Sequence, residues 1–169
     1  MTRVKRRKIE VEEERRLLRN LITSAEFCNE MLPLLSNPKI LQMEYSGLIV
    51  RWVKEYYDQH KKAPNVYIQD IFRQNKQKIN SSEAELLEAF LTGLSEEYAE
   101  KEAEKGPNWQ IEGEIVAGRA YLEERKVRFL ASNVDRLIER GKFTAADKLL
   151  KRYAEQTTTE QKPYHQILR

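Results

Sequence analysis

The chain contains one cysteine, six glycines and five prolines in 169 residues, and each scarcity closes off a class of protein. The lone thiol, Cys28, cannot form an internal disulfide; its apolar context suits a small core residue in a reducing compartment. So few glycines and prolines favour helices with solvated faces over strands and tight turns. No apolar run approaches the roughly 18 to 20 residues that cross a bilayer, and no apolar signal segment follows the charged first residues. A cytoplasmic protein without membrane contact is expected. The two histidines, His60 and His165, sit among charged or tail residues, with no cysteine or carboxylate cluster at metal-ligand spacing. Neither a GxxxxGK(S/T) phosphate loop nor a GxGxxG fingerprint occurs, so this chain is expected to have no catalytic set, metal or cofactor of its own.

Charge is plentiful. Asp, Glu, Lys and Arg make up 34% of the chain, against an average near 25%. The net charge is +3, but Arg3, Lys5, Arg6, Arg7 and Lys8 crowd the start, and without those five the chain has 25 Lys and Arg against 27 Asp and Glu. This distribution argues against a broad nucleic-acid footprint on the folded body. Residues 1–9 are expected to form a flexible basic arm able to contact nucleic acid or an acidic partner. The glutamates at 12–14 and 96–104 are expected to form solvated faces, because consecutive helical carboxylates diverge while metal sites need converging oxygens.

Apolar spacing predicts an all-α fold. Leu17, Leu18, Leu21 and Ile22 share a helical face over residues 11–22, and Thr23-Ser24-Ala25-Glu26 reads as a capping box with Thr23 as the cap. Tyr45, Leu48, Ile49, Trp52, Val53, Tyr56 and Tyr57 recur at three- and four-residue spacing through a long helix that stops before Pro64. Asn65 is the expected cap of the next helix, and Ser81 or Ser82 of the one after. These elements make a globular head over residues 10–105. Residues 109–140 hold the longest helical pattern, with two apolar stripes, and Gly141 is placed to end it. A second arm of about three turns would follow, so residues 106–156 read as an unequal helical hairpin and 157–169 as a tail or linker. Gly113 and Gly118 would let a partner helix approach closely.

The order of parts resembles the N-terminal domain of DnaB-type replicative helicases, particularly phage-like versions. The similarity spans most of residues 10–155: an acidic-start helix at 12–21, the aromatic helix ending in the lysine- and proline-containing turn 52–64, a short helix at 66–72, and a hairpin arm, 121–130, with Arg125 and Arg128 in comparable places. Departures are Lys61-Lys62-Ala63 where glycine is common, Asn65 where aspartate usually follows the proline, and no ATPase domain, so ATP and magnesium belong to an absent motor. The resemblance implies a non-catalytic collar domain, acting in DNA replication through hexamer assembly and recruitment of a primase or helicase loader, with DNA engaged indirectly. The chain is then a fragment of a helicase or a freestanding relative, such as a loader or inhibitor. A small nucleic-acid-binding regulator using the basic arm is the alternative. Ile115, Leu122, Phe129, Leu130, Val134 and Leu137 are the residues expected to pair one copy with another.

Overall fold

The computed structural model describes the backbone of residues 3–167 and the side chains of residues 11–156. Among the described residues there is no strand. Seven α-helices follow one another: α1 Arg3–Thr23, α2 Ala25–Met31, α3 Ser46–His60, α4 Tyr67–Asn75, α5 Ser81–Glu104, α6 Ile111–Glu139 and α7 Phe143–Ile167. Short 3₁₀ turns at Leu32–Leu34, Pro38–Ile40 and Lys76–Lys78 join some of them. The all-α expectation is met.

The chain divides into two compact units, Met1–Glu123 and Glu124–Arg169. The division falls inside α6 and not at residue 105, because the first turns of α6 belong to the head. Ile115, Gly118, Tyr121 and Leu122 are all buried there. The core of this first unit is built from α1 (Leu17, Leu18, Leu21, Ile22), α2 (Phe27, Cys28, Met31), α3 (Ile49, Val50, Trp52, Val53) and α5 (Leu87, Phe90, Leu91, Leu94). Each buried Leu, Ile, Val, Phe or Met among them contributes about 1.5–3 kcal/mol on leaving water.

Several helix ends differ from the sequence reading. Ser24, not Thr23, caps α2: its Oγ accepts from the Phe27 N–H at 3.1 Å, while the Thr23 hydroxyl donates to the Arg19 carbonyl at 2.8 Å. Asn80, one residue before the serines, caps α5 through Oδ1, which accepts from the Ser82 N–H at 2.9 Å. Asn65 caps nothing; it is left-handed at φ 52, and its N–H donates to the Ile22 carbonyl at 2.8 Å, tying the turn to the end of α1. Lys61, at φ 55, occupies the left-handed position that ends α3, a place where glycine is the usual choice.

The backbone is also helical where an arm and a tail were expected. α1 begins at Arg3, so Arg3, Lys5, Arg6, Arg7 and Lys8 lie in its first turns, with their side chains outside the described set. Lys, Arg and Glu are good helix formers and no glycine or proline interrupts residues 3–23. α7 runs 25 residues to Ile167, not about three turns. Apolar periodicity reports only helices that bury a face, so it passed over this polar extension.

Candidate functional site

Glu14 is the most closely held polar side chain in the first unit. It is 0% exposed although it ends a run of three glutamates. Its Oε1 accepts from the Gln42 N–H at 2.7 Å and the Tyr121 hydroxyl at 2.8 Å; its Oε2 accepts from the Met43 N–H at 2.7 Å and the Ser46 hydroxyl at 2.9 Å. One carboxylate thus ties α1 to the loop before α3, to the first turn of α3 and to α6. The expectation of a solvated face fails for Glu14, although Glu12 and Glu13 are exposed as expected. Helical geometry explains the difference: Glu14 lies three and four residues before Leu17 and Leu18, on the face that enters the core.

A second polar cluster joins α1 to α6. Glu114 accepts from Arg16 Nε at 2.6 Å and from the Asn20 side-chain amide at 2.9 Å. Partial burial pushes the Glu114 carboxyl up, but those hydrogen bonds and the charges of Arg16 and Arg19 outweigh it and hold the group below its ordinary range. On the neighbouring flank, Arg15 donates to Glu97 at 2.6 Å and lies 5.2 Å from the centre of the Phe90 ring. The buried Cys28 thiol donates to the Leu21 carbonyl at 2.9 Å, and burial raises its pKa to about 12. It stays protonated, as a core residue.

Helix α6 sits close on α2 at Gly118, where a Cβ would meet Phe27 Cζ at 3.0 Å and Met31 Sδ at 3.2 Å. Arg119 beside it pairs with Glu30. Gly118 therefore does admit a helix at close range, but the helix is α2 of the same chain. Gly113 has nothing within 4 Å of an added Cβ.

The second unit presents a different surface. α6 ends in a Schellman turn: Gly141, at φ 71, donates to the Ile138 carbonyl at 2.9 Å and Lys142 donates to the Leu137 carbonyl at 2.8 Å. Among the described side chains from Glu124 onward, Ala146 alone is buried. Val127, Ile138, Phe143 and Leu150 are exposed by 44–65%, and Phe129, Leu130, Val134, Leu137, Leu149 and Tyr153 are half-buried. Val127, Leu130, Val134 and Leu137 recur at alternating spacings of three and four, the seam of a helix that packs against another. Arg128 is held to its own helix by Glu124 through Nε and Nη2, at 2.9 and 2.8 Å.

No family model, curated protein or solved structure matches the chain.

The six residues expected at a pairing surface therefore separate. Ile115 and Leu122 are 7% and 1% exposed within the head and have no free face to offer. Helical spacing groups them with Phe129, fourteen and seven residues on, because periodicity is blind to where along a helix the partner changes. Phe129, Leu130, Val134 and Leu137 fall together in the second unit, each incompletely covered. Exposed Val127, Ile138, Phe143 and Leu150 complete the apolar set. Residues 3–8 cannot be placed in any site, since their side chains lie outside the described residues.

Proposed function

We propose that the chain is a non-catalytic assembly domain of the DnaB-type collar kind, whose second unit pairs with the same unit of another copy. The observation that carries the reading is the apolar surface of residues 127–150: among the described side chains of the second unit Ala146 alone is buried, and such surface favours association. A second copy supplies the simplest partner, because one self-complementary patch builds a two-fold interface. The resemblance of residues 10–155 to helicase collars supplies the biological setting: a ring-shaped assembly that braces a replicative helicase, recruits a primase or loader, and meets DNA only through the motor it supports.

The test is solution mass. Phe129→Glu with Leu130→Glu should reduce the particle towards the 20.0 kDa of one chain, while the fluorescence of Trp52 and Trp109, both in the first unit, reports an unchanged head. An unaltered mass, or a wild-type chain that is already monomeric at high micromolar concentration, would remove the basis of the proposal. Pull-down with purified hexameric helicase and with primase separates a collar that recruits partners from one that only self-associates.

A further inference from the structure

Independently of the collar reading, we propose that a cleft in the first unit, between the C-terminal ends of α1 and α5, docks a lysine- or arginine-bearing segment of a partner protein. The cleft has a volume of about 640 Å³. Two of its lining residues are large aromatics left 40% exposed, Tyr98 and Trp109. On this side its titratable lining is Glu26, Glu102 and Glu112 against Lys105; the adjoining cleft that shares Tyr98, Glu102, Lys105 and Trp109 adds Arg16, Arg19 and Lys101, each already paired, with Glu114, Glu97 and Glu104 respectively. Glu26 and Glu112 are exposed and neither is held in an ion pair among the described residues.

The cleft already displays the chemistry it selects. Lys105 Nζ stands 4.2 Å from the centre of the Trp109 ring while pairing with Glu102. An ammonium held between an indole face and a carboxylate is the arrangement by which proteins recognise cationic side chains, and tryptophan is the strongest ring for it. Lys105 is itself partly exposed and reaches Glu102 across one turn, so an incoming arginine or lysine can displace it at little cost. Arginine has an added advantage, since its planar guanidinium stacks on an indole and forks onto a carboxylate together. The exposed Gln110 side chain on the wall offers a hydrogen-bond donor and acceptor to the backbone of an extended peptide. An anionic or purely apolar partner would meet repulsion or unfilled polar groups here.

The experiment uses the full chain and a blocked Gly-Ser peptide carrying paired arginines, with its citrulline counterpart as the neutral control. Two-dimensional NMR follows the two indole N–H resonances. The Trp109 signal should shift with the arginine peptide and the buried Trp52 signal should not. Trp109→Ala should weaken binding about fivefold, and Glu26→Gln with Glu112→Gln should weaken it further. Lys105→Ala should tighten binding, whereas Lys78→Ala, which makes the same charge change elsewhere, should not. The proposal is overturned by equal shifts with the citrulline peptide, by no shift at Trp109, or by equal gains from both lysine variants, which would reveal bulk electrostatics in place of a site. Circular dichroism of each variant confirms that the helices persist.

Discussion

Replacing Glu14 is the most demanding test of how the head is held together. In Glu14→Ala the carboxylate disappears and four donors lose their acceptor: the Gln42 and Met43 N–H groups and the hydroxyls of Ser46 and Tyr121. Ser46 and Tyr121 are buried, so water cannot take over without opening the core, whereas Gln42 and Met43 are half-buried and partly recover by hydration. A buried donor left unsatisfied costs about 1–3 kcal/mol. Two of them, with partial losses from the loop, give about 3–5 kcal/mol, a large share of the roughly 5–15 kcal/mol that a domain has. Alanine and glutamate are both good helix formers, so propensity barely enters. Urea unfolding monitored by helix signal and by tryptophan fluorescence measures the loss. Glu12→Ala and Glu13→Ala, on exposed positions of the same helix, should fall within about 0.5 kcal/mol of wild type. Pairing Glu14→Gln with Tyr121→Phe should give a coupling of about 0.5–3 kcal/mol. A Glu14→Ala cost no larger than those of its two exposed neighbours would refute the reasoning.

Two further perturbations have opposite or pH-dependent signs. Gly113→Ala should stabilise the chain by about 1 kcal/mol, because the site is open and alanine is the better helix former; Gly118→Val should destabilise it by about 1–3 kcal/mol by overpacking Phe27 and Met31. Thermal or urea melts rank the pair, and equal signs would contradict the seat of α6 on α2. Glu114 has a folded pKa below its ordinary 4.5; its contribution is therefore present above that value and lost as pH falls through the lower folded one. Stability of the wild type should drop on acidification below about pH 4.5, and Glu114→Gln should flatten that part of the profile in a urea titration repeated across pH.

The sequence revealed buried faces and missed their partners. α3 was legible because Ile49, Trp52 and Val53 recur at helical spacing, and the stop near Lys61 followed from the charged turn before Pro64. The turn at Gly141 was legible because only glycine adopts its backbone freely. Glu14 was hidden: its type signals a surface, and its four partners come from segments 28 to 107 residues away. The same blindness sent Ile115 and Leu122 to an interface between chains, since a stripe along one helix cannot report that nearly its first half lies in the head, against α1 and α2, while its remainder lies in another unit. The cleft at Trp109 was equally invisible, as its walls come from α1, the start of α2, α5, the segment before α6 and the first turn of α6, which local patterning treats separately.

The reach of the Glu14 network sets an order on how the head can be completed during synthesis. A chain emerging from the ribosome has α1 early, but the Tyr121 hydroxyl arrives 107 residues later, along with the Gly118 surface that seats Phe27 and Met31. Until that stretch is free, α1 and α2 wait with a carboxylate and an aromatic side uncovered, a state open to mispairing. A nascent chain stalled with residues up to 105 exposed should therefore be sensitive to protease, and one stalled with residues up to 123 exposed should resist it.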